Sequence, residues 1–234
     1  MKPQLLDGGV HNADLTAAAG RIITGGTWKQ QRVVVILPAG PMIPTKTFFA
    51  LRNLIFPPNQ AHTWWGALGM EVGEAYSTAI DQILASPLKD WEYVLTVEHD
   101  NIPPADGLLK LIARMEANPQ FACIGGLYWT KGEGGVPQIW GDPRDPAPNY
   151  RPQPPVPGQL VECCGTGMGF NLWRMAMFKD ARLRRPLFKT VAGKEGVGTQ
   201  DLYFWGDARK HGYRCAVDCD VLVGHYDVNT DICW

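Results

Sequence analysis

An α/β layered domain is the fold class that this sequence predicts, and three observations predict it. Val33–Leu37 is a short, unbroken run of β-branched and aliphatic residues, the pattern of a strand buried on both faces. Val72, Ala75, Tyr76, Ala79, Ile80 and Ile83 recur at spacings of three and four, which puts one apolar stripe on a helix over 71–84. Segments of the two kinds alternate through the first half of the chain, and such alternation favours a sheet layered with helices.

Residues 1–31 precede the regular pattern as an N-terminal arm, Ala-rich at Ala17–Ala19 and broken by Gly20, Gly25 and Gly26. Two roles are open to it: packing on the body, or joining a second copy of the chain in a homo-oligomer. Residues 32–234 read as one domain. Its first strand ends at Pro38, and a helix over 46–55 is closed by Pro57 and Pro58. The helix over 71–84 leads to a strand at Tyr93–Val97. Pro104 suits the first turn of another helix, whose inner face carries Leu108, Leu111, Ile112 and Met115. Phe121–Ile124 is the next strand, ended by Gly125 and Gly126. Residues 130–159 are rich in glycine and proline and read as a long loop over the sheet, with a short strand at Val136–Trp140. Residues 186–199 hold several glycines and little apolar pattern. They are open to two readings, a mobile lid that brings Lys189 and Lys194 to a ligand or an ordinary exposed loop.

Composition narrows the function. The 234 residues are 45% hydrophobic, enough for one substantial core, and the net charge of −1 gives no general attraction to nucleic acid or to an anionic membrane. The longest apolar run, Val33–Leu37, is far short of the ~20 residues that span a bilayer. Residues 1–15 lack the apolar stretch of a secretory signal, so a cytoplasmic protein with reduced cysteines is expected. Cys163, Cys164, Cys215 and Cys219 lack paired C-x-x-C spacing and read as small buried residues rather than zinc ligands.

Four segments carry chemistry. Glu98-His99-Asp100 puts two carboxylates at the carboxyl end of a buried strand, where open α/β sheets bind ligands. The pair can hold a divalent cation, which neutralises a diphosphate, or it can cap the helix that follows. His225 sits just past the apolar end of Cys215–Gly224; it is a ligand for a manganese-like metal or a surface histidine, according to what Asp100 does. Asp201 falls in the first turn of a helix that Thr199 can cap and Gly212 can stop. Its two roles are interaction with the helix dipole and general base at a cleft. Gly165-Thr166-Gly167-Met168-Gly169 has alternate glycines that allow close backbone approach, without the spacing of a dinucleotide fingerprint.

Taken in order over residues 32–226, these segments resemble the GT-A glycosyltransferases, particularly the family-2-like and small bacteriophage-encoded forms. Val33–Pro38 looks like the family's opening strand and nucleotide-side loop, and Glu98-His99-Asp100 occupies the place of its D-x-D motif. Gly165-Thr166-Gly167 matches the acceptor-side loop. Gln200-Asp201 matches an E-D pair whose aspartate is the base in inverting members, and Gly224-His225 matches the late histidine of the metal site. Glu98 and Gln200 depart from the acids usual at their positions. The resemblance implies a Rossmann-like GT-A domain with a mixed, mostly parallel central sheet flanked by helices. It implies Mn2+ or Mg2+ held by Asp100 and His225, a UDP- or GDP-sugar donor against Pro38, Ala39 and Glu98, and an acceptor near Gly165, Thr166, Gly167 and Trp140. Asp201 would take the acceptor proton, with inversion. The acceptor is a protein, such as a virion protein, or a modified DNA base, and no membrane is involved. A sugar nucleotidyltransferase is a rival, although Leu37-Pro38-Ala39-Gly40-Pro41 lacks the basic, glycine-rich phosphate loop of that class. A nucleotide-sugar-binding module without turnover is the other.

Overall fold

The β-branched run is buried because helices cover both faces of the sheet it belongs to. A computed structural model describes residues 30–145, 149–193 and 196–234, so the arm expected over 1–31 lies outside the described residues apart from Gln30 and Gln31. In chain order, β1 (Val33–Ala39) leads through α1 (Thr45–Arg52) to β2 (His62–Leu68), and α2 (Val72–Leu84) leads to β3 (Tyr93–Val97). The short β4 (Asn101–Ile102) precedes α3 (Gly107–Ala117) and β5 (Cys123–Leu127). Short pieces follow: β6 (Ile139–Trp140), β7 (Leu160–Cys163), β8 (Gly165–Thr166), β9 (Phe170–Arg174) and α4 (Met175–Phe178). The chain closes with a hairpin of β10 (Val191–Gly193) and β11 (Gly196–Gly198), then α5 (Gln200–Ala208), β12 (Cys215–Leu222), β13 (Gly224–Asp227) and β14 (Ile232–Cys233).

The central sheet has seven strands in the order β2-β1-β3-β9-β5-β12-β7. Strands β2, β1, β3, β5 and β12 run one way, and β9 and β7 run against them. The sheet is thus mixed and mostly parallel, as expected. Alternate residues serve two cores. Val34, Ile36, Val94 and Trp173 face α2 and α5, while Val33, Val35, Leu95 and Leu172 face α3. That division explains why β1 shows no polar alternation. Among the described residues no helix is long and apolar enough to cross a membrane. The cysteines are free, and Cys163 and Cys215 face each other across β7 and β12 with sulfurs 3.7 Å apart, unbonded.

Several expected boundaries move, each for a visible reason. The third helix starts at Gly107 rather than Pro104, because Pro104 closes a turn in which its carbonyl accepts the Gly107 N–H at 2.9 Å. Strand β5 runs through Gly125 and Gly126 instead of ending there. A side chain at Gly126 would press on Val223 at 2.7 Å, so these glycines serve close strand packing. Cys215–Gly224 is split: β12 stays in the central sheet, while β13 pairs with β4 and β14 in another. Residues 186–190, at the base of the expected lid, are anchored. Leu187 and Phe188 are core residues, Phe188 exchanges hydrogen bonds with the Ser77 hydroxyl, and the Thr190 hydroxyl donates to Glu71. The hairpin above them has its tip, including Lys194, outside the described residues.

Trp173, on the strand that sequence reading did not find, is the hub of the α2-side core. It stacks on Trp205 with centroids 5.4 Å apart, meets Phe204 edge-on, and donates its indole N–H to the Thr96 hydroxyl at 3.0 Å. Trp173→Ala is expected to cost about 3–5 kcal/mol of stability, the range for deleting a buried large aromatic; urea unfolding checks it, and a loss below 1 kcal/mol would contradict this role.

Candidate active site

The carboxyl ends of β1 and β3 open into a cleft of about 320 Å³ lined by Pro38, Ala39, Gly40, Gly69, Met70, Val72, Glu98, His99 and Asp100. The expected donor-side residues Pro38, Ala39 and Glu98 therefore share one cleft with Asp100. It lies outside the strand ends, where elementary α/β geometry places ligands.

Asp100 is fixed from the other end of the chain. Gly224 and His225 pair antiparallel with Ile102 and Asn101, and the Tyr226 N–H donates to the Asp100 carbonyl at 2.7 Å. On the outer side, His225 and Trp234 exchange backbone hydrogen bonds at 3.0 Å in both directions. This small sheet brings the His225 Nε2 to 3.6 Å from the Asp100 Oδ2. The imidazole is oriented by its other nitrogen, for Nδ1 lies 2.7 Å from the Trp129 carbonyl oxygen. A carbonyl only accepts, so Nδ1 carries a proton, and Nε2 is the nitrogen turned towards the Asp100 carboxylate, a donor when protonated and a lone pair when not. Tyr128 holds the ring edge-to-face, with centroids 5.5 Å apart.

With Nε2 deprotonated, the imidazole and the Asp100 carboxylate offer a place for a cation. One carboxylate and one imidazole, with a backbone carbonyl fixing the tautomer, suit a divalent ion that keeps its remaining positions for phosphate oxygens. No group of three or more His, Cys, Asp or Glu side chains among the described residues is arranged to hold a metal. A metal here would thus be completed by its ligand. Lys131, which sequence reading did not single out, already places its ammonium 2.5 Å from the Asp100 Oδ2. Burial acts to raise the Asp100 carboxyl, but His225 and Lys131 beside it reverse that and hold it below the ordinary aspartate range.

Two further carboxyls share the region. Glu98 is pushed up to about 7, by burial first and then by the charges of Asp100 and Asp201, against the pull of His225 and the Tyr76 hydroxyl 3.5 Å away. Asp201, in the first turn of α5, is 6% exposed. Burial raises its carboxyl, and hydrogen bonds from the Thr199 side chain and the Leu202 N–H oppose the rise. Asp201 does not itself line the cleft of Glu98 and Asp100, although its charge adds to the rise of Glu98.

The residues expected on the acceptor side fall differently. Gly165, Thr166 and Gly167 are all buried. Gly165 lets Trp205 and Leu202 of α5 approach, and the Gly167 carbonyl accepts from the Asn171 side chain. These glycines serve packing, which is the reason for their alternation. Trp140, half-buried, pairs with Gly165 and donates its indole N–H to Gln138.

No protein-family model matches the chain. No curated protein matches it either. Among solved structures it is similar to TarS 1-349 of S. aureus in complex with UDP-GlcNAc, at 16% identity and a TM-score of 0.51, over 82% of this chain and 57% of that one. The fold is GT-A-like. Two other TarS structures align over 82% of this chain, at 14% and 15% identity and TM-scores of 0.49 and 0.46. The chain spans little more than half the length of TarS 1-349, and at this identity the shared property is the fold.

Tyr128 ties the two halves of the site together, because its hydroxyl accepts the buried Gly169 N–H at 2.8 Å while its ring meets His225. Tyr128→Phe leaves that N–H without a partner, so a loss of about 1–3 kcal/mol is expected. Thermal or urea unfolding checks it, and wild-type stability would show that the bond contributes nothing.

Proposed function

We propose that this protein is a glycosyltransferase that moves a sugar from a nucleoside-diphosphate sugar to an acceptor hydroxyl, with a divalent cation, Mn2+ or Mg2+, between Asp100 and His225. The observation that carries the reading is the convergence of the Asp100 carboxylate and the Nε2 of His225, beside the cleft that Asp100 itself lines. A GT-A-like fold with that pair at its strand ends supports it, and UDP-GlcNAc in the TarS complex favours the UDP-sugar class of donor.

The chain's own groups divide the work as follows. Pro38 and Ala39 wall the nucleotide side of the cleft, and Glu98 faces the donor ribose or sugar. Asp100 and His225 hold the cation, which when bound supplies charge neutralisation for the departing diphosphate. Asp201 takes the proton of the acceptor hydroxyl. Its burial strips water from the carboxylate and raises its proton affinity, which suits a base. Attack on the face opposite the leaving diphosphate inverts the anomeric centre. The net charge of −1 makes a protein acceptor a better match than a nucleic acid.

Release of nucleoside diphosphate from a panel of UDP- and GDP-sugars, with and without Mn2+ or Mg2+, tests the reading. Release is expected to need the cation, to stop in excess chelator, and to vanish in Asp100→Ala with the fold intact. Undiminished turnover in chelator would remove the metal from the account. Formation of a nucleotide sugar from a nucleoside triphosphate and a sugar phosphate would instead make the protein a nucleotidyltransferase.

Asp201→Asn is expected to lower kcat by about 10²–10⁴-fold with little change in donor affinity. A base must be deprotonated to act, so activity falls as pH drops through its pKa. Because burial raises that pKa, the acid limb of kcat/KM belongs above the ~3.9 of an ordinary aspartate and should disappear in Asp201→Asn. An unchanged limb in the variant would assign the base elsewhere.

A further inference from the structure

Lys131 stands at the Asp100 oxygen that faces the His225 imidazole. Its ammonium meets the same carboxylate oxygen, Oδ2, that faces the His225 Nε2. A metal would approach that oxygen to ~2.0–2.2 Å, and a positive charge already beside it would repel the ion strongly in a half-buried site. The two compete for the oxygen, so a metal between it and His225 weakens the hold on the ammonium.

The loop that carries Lys131 is built to hold its backbone while freeing its tip. Thr130 is pinned to Val136 twice, by its N–H to the Val136 carbonyl and by its hydroxyl from the Val136 N–H, both at 2.9 Å. Beyond the pin, Gly132 and Gly134 take positive φ angles of 100° and 75° with open space beside them. The lysine stem is long and rotatable, and its side chain is 31% exposed. The same segment supplies the Trp129 carbonyl that orients His225. The ammonium can therefore move without disturbing the imidazole.

The displaced charge has a natural partner. Glu98 and Asp100 line the same cleft, and a diphosphate would bring further negative charge to it. We propose that Lys131 is a reserve cation of the donor site: it neutralises Asp100 in the free protein, gives up that carboxylate when a divalent ion binds, and then pairs with the donor diphosphate. This rests on the metal-dependent reading above. Lys189 has its backbone packed against Gly73 at the start of α2, and Lys194 lies outside the described residues.

The test is calorimetry on the full chain, as wild type, Lys131→Met and Lys131→Arg. Mn2+ alone is titrated first, then inorganic pyrophosphate at saturating Mn2+, which presents a diphosphate without any base. Lys131→Met is expected to bind Mn2+ about tenfold more tightly, because nothing competes for Asp100, and pyrophosphate about tenfold more weakly, the scale of one charge-assisted hydrogen bond. Lys131→Arg should keep wild-type pyrophosphate affinity. Equal Mn2+ affinity in wild type and Lys131→Met overturns the competition, and equal pyrophosphate affinity overturns the transfer to the diphosphate. Absence of Mn2+ binding in both proteins overturns the metal reading itself, a different result from either.

Discussion

Two residues of β4 and two of β13 hold the site together. Asn101 and Ile102 follow the carboxylates of β3, and Gly224 and His225 follow the apolar end of β12. Their antiparallel pairing, with the Tyr226 N–H on the Asp100 carbonyl, converts two strand ends distant in sequence into one rigid corner. A Cβ at Gly224 would meet the Cys233 sulfur of β14, which would have to turn aside. Without this pairing Asp100 would be a strand-end acid and His225 a surface histidine, which are the two bland roles that the sequence leaves open for them.

Electrostatics then gives the corner its chemistry. Three carboxyls, Glu98 and Asp100 just after β3 and Asp201 on α5, have unlike surroundings. Asp100 is kept ionised by Lys131 and His225, Glu98 is driven up by burial and its neighbours, and Asp201 is raised by burial alone against local hydrogen bonds. Acids placed together with unlike proton affinities are a hallmark of sites that bind and transfer charge. Glu98 is met by the Tyr76 hydroxyl and Asp201 by the Leu202 N–H, while Trp129 and Tyr128 orient the His225 ring beside Asp100.

Much of this was legible in the sequence, and the omissions have physical causes. Tyr93–Val97 is read correctly because it is a run of aromatic, aliphatic and β-branched residues, all buried, and Glu98 and Asp100 follow from where it ends. The stop at Gly212 is read correctly because the backbone there is left-handed, with φ 84°. The central strand β9 is missed because Asn171 and Arg174 interrupt its apolar pattern. Asn171 is buried with its amide turned onto the Gly167 carbonyl, a pairing that no local pattern announces. The edge strand β2 is missed because its outward side chains include Trp64 and Leu68, which blur the alternation. The glycines at 165 and 167 were read for ligand approach and turn out to admit α5 and Tyr128. Lys131 carries no signal of its own. Only the return of its loop to the end of β3 gives it meaning.

The central claim is that His225 and Asp100 form a cation site through the unprotonated Nε2. Electron spin-echo envelope modulation of the Mn2+-loaded protein tests it most directly. The account predicts a nitrogen coupling from an imidazole bound directly to Mn2+, lost in His225→Gln while the fold is retained. Bound Mn2+ with no directly coordinated nitrogen would contradict it.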